Sequence, residues 1–241
     1  MKHLFFYFRF LPFFAFRQTE YRLFAYFCKI TFSPRLMKTL RIYPSSINDR
    51  FIEEACDALR SGQAIIYPTD TLYAIGCDAL NQGAIEKLCK FKGLNTQKNT
   101  LSIICADISQ ASDYARIDNR TFKLLRQHCP GPFTFLLPAS TTLPKAFKGR
   151  HTVGLRIPDN PIATTLAERL GHPLLTTSLP SDGLDHDEIT APDEIMLRYD
   201  SSQIPLMIDG GRGESTPSTI VDLTDSSAPE IIRQGLGIFN D

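Results

Sequence analysis

From Met37 onward, short apolar runs alternate with amphipathic stretches of helical period, and this interleaving most narrows what the chain can fold into. Runs at 63–67, Leu101–Cys105, Phe133–Leu137, Val153–Ile157, Leu174–Ser178, Leu206–Ile208, Thr219–Leu223 and Ile231–Arg233 read as strands. The helical segments between them have legible ends. Asn48 predicts an N-cap for a helix with Phe51, Ile52, Ala55 and Leu59 on one face, stopped at Gly62. Asn81 predicts the cap of a second, which carries Ile85, Leu88, Cys89 and Phe91 and ends at Gly93. Ile108–Tyr114 and Asn119–His128 read as two more, and Asn160-Pro161 opens another that runs to Gly171. Residues 180–190 are polar, acidic and aperiodic, which predicts a loop. Strands and helices interleaved in this way give an α/β domain with a mixed sheet, and no repeat or linker divides residues 37–241.

The first 36 residues are written differently. They hold 13 of the 25 aromatic residues and six Lys or Arg against the single Glu20, whereas the remainder carries 20 basic and 25 acidic residues. A signal peptide needs an uninterrupted apolar core and a small-residue cleavage site, and neither is present. Arg9, Arg17 and Arg22 interrupt any membrane span, and Pro12 with clustered Phe residues leaves no clear polar face for an interfacial helix. Met37-Lys38-Thr39-Leu40 is a natural opening for a globular domain, so the expectation is that the functional protein begins at Met37 and that 1–36 is an upstream extension or an aromatic leader.

The six cysteines show no C-x-x-C spacing, and Cys56, Cys89 and Cys105 sit among apolar residues, as buried thiols do in a reducing cytosol; a cytoplasmic protein without a membrane partner is expected. The five histidines do not pair at metal-ligand spacing. Charge is uneven along the chain: residues 100–159 carry eight Lys or Arg and four acids, and 181–241 carry three against thirteen. A basic middle fits either a solvated face or a surface for phosphate or RNA.

Chemistry concentrates where strands end. The apolar run Ala64-Ile65-Ile66 reads as a buried strand that Pro68 stops, and Thr69-Asp70-Thr71-Leu72-Tyr73 then crowds hydroxyls and a carboxylate at the strand's carboxyl end, where open α/β sheets hold ligands. Four later segments join it: Pro130-Gly131-Pro132-Phe133-Thr134-Phe135, Val153-Gly154-Leu155-Arg156-Ile157-Pro158-Asp159, Leu175-Thr176-Thr177-Ser178, and Pro217-Ser218-Thr219-Ile220-Val221-Asp222 with Arg233-Gln234-Gly235 behind it. Arg156 lies inside a strand, where an unpaired charge is costly to bury, so it is either paired with a carboxylate or turned towards a cavity. Gly210-Gly211-Arg212-Gly213 reads as a flexible loop, since one glycine–arginine copy is a weak RNA-binding signal.

These five motifs, in order from Tyr43 to Phe239, resemble the threonylcarbamoyl-AMP synthase family with its YrdC-like domain, and most closely its YciO branch. The resemblance implies a twisted mixed sheet with flanking helices around a large concave cavity. It also implies synthesis from L-threonine, bicarbonate and ATP with Mg2+, feeding a modification of adenosine in tRNA. On the same ground the residues expected to bind substrate or nucleotide are Thr69, Tyr73, Lys92, Lys98, Thr134, Arg156, Thr177, Ser178, Ser218 and Arg233. No residue is assigned a catalytic role, and Asp70 has no reacting proton placed beside it.

Two departures from the family pattern bear on activity. Where synthases carry Lys-x-Arg-Pro this chain reads Lys92-Gly93-Leu94-Asn95, and where they carry Ser-x-Asn it reads Ser178-Leu179-Pro180. Leucine cannot neutralise phosphate, and proline supplies neither a side-chain amide nor a backbone donor. Losing one charge-assisted contact to a buried anion costs about 2–5 kcal/mol. Lys90 and Lys98 are the nearby cations that could compensate. The alternative classes are therefore an RNA-binding relative that docks tRNA or double-stranded RNA without synthesis, and a hydrolase that removes the threonylcarbamoyl group from tRNA.

Overall fold

The computed structural model describes residues 37–93, 102–141, 143, 151–179, 190–199 and 203–240. Its strands are β1 (Lys38–Arg41), β2 (Ile65–Tyr67), β3 (Ala74–Asp78), β4 (Ser102–Ile104), β5 (Phe133–Pro138), β6 (Thr152–Arg156), β7 (Leu174–Ser178), β8 (Leu206–Asp209), β9 (Thr219–Asp222) and β10 (Glu230–Arg233). Its helices are α1 (Asp49–Arg60), α2 (Gln82–Lys92), α3 (Ile108–Tyr114), α4 (Asn119–His128), α5 (Pro161–Leu170) and α6 (Pro192–Arg198). All ten strands join in one sheet of order β1-β8-β2-β3-β7-β4-β6-β5-β9-β10. Four neighbouring pairs are parallel (β1/β8, β2/β8, β4/β6, β5/β9) and the rest antiparallel. The expected α/β fold with a mixed sheet is present.

The predicted caps form as the sequence suggests. Asn48 Oδ1 accepts from the Phe51 N–H, Asn81 Oδ1 from Ala84, and Asn160 Oδ1 from both Ile162 and Ala163. Gly93 and Gly171 close α2 and α5 in the left-handed conformation, which costs a residue without Cβ little.

Strand register sorts the side chains into two faces, because successive residues of a strand point to opposite sides. One face carries Ile66, Ile75, Ile103, Phe135, Leu155 and Leu175 and packs under α2, α4 and α6 in the larger core. The other carries Ile65, Tyr67, Ala74, Ile104, Leu174, Leu206 and Ile208 and packs under α1 and α5. That second apolar floor stops short of the sheet's far half. Continuing on the same face, register places Thr176 and Ser178 on β7, Ser102 on β4, Gly154 and Arg156 on β6, and Thr134 on β5 with Ile220 of β9 beside it. One face of one sheet thus changes from an oily seat for helices into a hydroxyl-lined strip.

Candidate active site: a hydroxyl-lined strip between two arginines

Close packing at two glycines lets the strip form. A Cβ on Gly154 would stand 2.5 Å from Ser102 Oγ and 3.3 Å from Ser102 Cα, so β4 and β6 approach here only because the residue is glycine. On β3, a Cβ at Gly76 would meet Leu175 O at 2.8 Å and the Tyr67 hydroxyl at 2.9 Å. Tyr67 therefore lies across Gly76 and donates to Thr176 Oγ1 at 2.8 Å, fixing that hydroxyl from two strands away. Burial holds the Tyr67 phenol well above its ordinary range, so it stays a neutral donor.

The loop after β2 supplies the wall. Thr69 Oγ1 donates to Leu72 O at 2.7 Å and accepts from the Thr71 N–H at 3.1 Å. Its only proton is used inside the turn, so here the hydroxyl serves the loop's own geometry. The turn aims Asp70 at Arg156. Arg156 Nη2 donates to Asp70 Oδ1 at 2.7 Å and to Thr71 Oγ1 at 3.0 Å, and the Asp159 N–H donates to Asp70 Oδ2 at 3.0 Å. The two charged side chains are 11% and 7% exposed. Burial pushes the Asp70 carboxyl above the usual carboxylate range, and Arg156 and the Asp159 amide pull it back only in part. Of the alternatives posed for Arg156, pairing with a carboxylate is realised. The pairing is incomplete, however: Arg156 Nε is buried with no hydrogen-bond partner.

The opposite wall comes from the last strands. Thr134 Oγ1 and Ser218 Oγ lie 2.8 Å apart, and Arg233 Nη2 donates to Ser218 O at 2.7 Å. The bulge that brings Arg233 here is visible in the register: Ile231 pairs with Val221, yet Arg233 pairs with Ile220, so one extra residue flips Arg233 onto the strip's face. Burial and then the like charge of Arg156 hold the Arg233 guanidinium below its ordinary value. Two guanidinium groups thus face a band of hydroxyls and repel one another across it.

The expected residues divide accordingly. Arg156, Thr134, Ser178, Ser218 and Arg233 share the strip, and Thr69 joins it through Thr71. Thr177 points to the opposite face beside Ile75, and Thr176, absent from the expected set, takes its place. Tyr73 belongs to the larger core: its hydroxyl donates to Gly211 O at 2.6 Å and accepts from the Gly210 N–H at 3.1 Å, pinning the 210–213 loop. Burial pushes its pKa up to about 12. Lys92 reaches the strip's end from the other layer, donating to Ser178 O at 2.7 Å. Lys98, Leu94 and Pro180 lie outside the described residues. Asp70, Thr71 and Thr176 are the residues the sequence reading did not select. Only the Pro-Thr-Asp-Thr crowding and the period of two in β7 hinted at them.

A separate cavity of about 570 Å³ opens at the carboxyl ends of β4 and β6, lined by Ile108, Phe122, Arg126, Cys129, Ile157 and Pro161 among others. It shares the Pro158-Asp159 wall with Asp70 but not the hydroxyl floor. Among the described residues no three His, Cys, Asp or Glu side chains gather as a metal site, and no helix is long and apolar enough to cross a membrane.

The family model described as telomere recombination, for the Sua5, YciO and YrdC proteins, matches residues 57–235. The chain belongs to the Sua5/YciO/YrdC family. Within that family it is similar to YciO of Escherichia coli, 38% identical over 198 residues that span 81% of this chain and 94% of the relative. The crystal structure of E. coli YciO superposes with a TM-score of 0.76 at 35% identity, covering 84% of this chain and 97% of that one. The threonylcarbamoyl-AMP synthase of Vibrio vulnificus is 31% identical over 189 residues, 76% of this chain and 98% of the synthase. The P. abyssi Sua5 structure complexed with L-threonine has a TM-score of 0.71 at 28% identity; the match covers 82% of this chain and 57% of Sua5. The Sua5/YciO/YrdC fold and the YciO branch expected from the motifs are both present, and the domain is related to threonylcarbamoyl-AMP synthase.

Proposed function

We propose that the strip between Arg156 and Arg233 binds a small amino acid together with an adenylate, in the manner of a threonylcarbamoyl-AMP synthase pocket. The observation that carries this reading is the buried, unpartnered Nε of Arg156, on the sheet face that also bears Thr176 and Thr134, the latter within hydrogen-bond distance of Ser218. A buried donor without a partner costs about 1–3 kcal/mol, and a carboxylate that accepts from it removes that penalty. Repulsion between Arg156 and Arg233 is relieved by the same anion. The relationship to the V. vulnificus synthase and to a Sua5 that binds L-threonine supports L-threonine as the amino acid.

In this reading the threonine amine condenses with bicarbonate to a carbamate with loss of water, the carbamate oxygen attacks the α-phosphorus of ATP, and pyrophosphate leaves. Magnesium enters with the triphosphate as part of the substrate. No acidic cluster among the described residues forms a dedicated cage, and ions of this kind sit mainly on phosphate and water. Lys92 and Arg233 are the cations at either end of the strip that would meet the phosphates. With Leu94 and Pro180 in place of arginine and asparagine, the clamp on the triphosphate is weaker than in a synthase, so slow turnover is expected.

The test is pyrophosphate release by the purified full chain supplied with threonine, bicarbonate, magnesium and ATP. A threonine-dependent rate abolished in Arg156→Ala supports synthesis. The leucine and proline substitutions favour one second reading, a pocket that serves tRNA without making the adenylate. No release at any ATP concentration, together with tRNA binding that falls steeply with salt, would establish that reading instead.

A further inference from the structure

Eight large apolar side chains are exposed among the described residues, and four of them, Ile231, Ile232, Leu236 and Ile238, fall within one eight-residue stretch at the end of the chain. Ile231 and Ile232 belong to β10, the last strand of the sheet, all four of whose residues are exposed. A sheet edge of this kind presents unpaired backbone groups and an apolar surface together. The opposite edge is managed differently. There β1 reads Lys-Thr-Leu-Arg, with Lys38 paired to Glu54 and Arg41 to Asp209, and its one inward residue, Leu40, is buried. Charge blunts β1, whereas β10 has isoleucine at its centre.

The order of residues in β10 selects its partner. Glu230-Ile231-Ile232-Arg233 reads as its own complement when reversed: in an antiparallel pair about a two-fold axis, Glu230 stands opposite the partner's Arg233 and Ile231 opposite the partner's Ile232. The match depends on the bulge, because residues three apart in a regular strand point to opposite faces whereas facing residues of an antiparallel pair share one. By putting Arg233 in register with Ile220, the bulge places Arg233 on the same face as Glu230, which pairs with Asp222. Both charges of the pair thus emerge on the hydroxyl-strip side. We infer that β10 is a self-association edge through which two copies of this chain join their sheets, each lending Glu230 to the rim of the other's strip beside Arg233. The partner is a second copy because the four-residue pattern is complementary to itself in both charge and apolarity. An antiparallel join of β10 to β1 would match Glu230 with Arg41 but set Arg233 against Lys38 and Ile232 against Thr39, and it would propagate without closing.

Sedimentation velocity of the full chain over a micromolar concentration series tests this. The wild type is expected to show a monomer–dimer equilibrium. Glu230→Arg and Arg233→Glu each place like charges opposite and are expected to weaken dimerisation by roughly ten-fold or more. The double variant Glu230→Arg/Arg233→Glu restores opposite signs and is expected to recover it. Ile231→Lys is expected to be monomeric, with a far-ultraviolet spectrum and melting curve that establish an intact fold. A wild type that stays monomeric, a dimer that survives the single charge changes, or a double variant no better than the singles would each overturn the inference.

Discussion

The Asp70–Arg156 pair is the residue-scale feature on which the strip turns. A buried ion pair is weak evidence for stability, because desolvation offsets attraction; removing one partner is nevertheless costly, since the other charge is left alone. Asp70→Ala and Arg156→Ala are each expected to destabilise by about 3–5 kcal/mol, and the double variant by clearly less than their sum. Urea melts of the three variants read the coupling, and additive losses would mean the two side chains act independently. Because burial raises the Asp70 pKa, its contribution to stability is full below the ordinary carboxylate range and declines as pH climbs through the raised value. Wild-type protein should lose stability across that interval relative to Asp70→Asn, which has no carboxyl to ionise. A wild type that instead gains on the variant as pH rises would show that Arg156 outweighs desolvation. At this scale the sequence was partly legible. A charge inside Val-Gly-Leu-Arg-Ile announced a partner or a cavity, but its partner lies 86 residues earlier, and only the tertiary fold brings that turn across.

Elements were legible where their ends carry local chemistry. Asn48, Asn81 and Asn160 mark helix starts because a short side-chain oxygen satisfies otherwise orphaned amides, and that mechanism works within four residues. The strand β3 was not assigned, because Ala-Ile-Gly-Cys-Asp lacks a clean alternation and is held by its neighbours β2 and β7 on both sides. Helix α6 was missed because its N-cap is Ala191, which makes no side-chain cap bond. Thr176 and Thr177 were confused for a related reason: a period of two says that they differ in face but not which face is lined by Arg156. Gly76 ties these elements to the site. Gly76→Ala would drive a methyl group against Leu175 O and the Tyr67 hydroxyl, costing about 1–3 kcal/mol as overpacking and displacing the Tyr67–Thr176 bond. Loss of threonine affinity at unchanged secondary structure would confirm that the contact positions the strip, and unaltered affinity would confine Gly76 to packing.

At the scale of the whole molecule, the sheet carries two cores on its two faces, and the cysteine thiols report on them. Cys56 lies in the core under α1 and α5, Cys77, Cys89 and Cys105 lie in the larger one, and Cys129 packs against the latter beside the separate cavity. Burial pushes Cys56 up to about 11 and Cys129 up to about 12, with Cys77 and Cys105 held still further from ionising. The reactive species is the thiolate, so none of these four should be labelled by maleimide at neutral pH while the sheet is closed. Both cores rest on the same ten strands, which predicts that Cys56 and Cys77 become reactive together as urea rises, at the midpoint reported by circular dichroism. Mass spectrometry of pulse-labelled protein resolves the sites. Labelling of Cys56 well before Cys77 would instead show α1 and α5 lifting from their face as a unit, and would make the floor beside the hydroxyl strip the more labile half of the sheet.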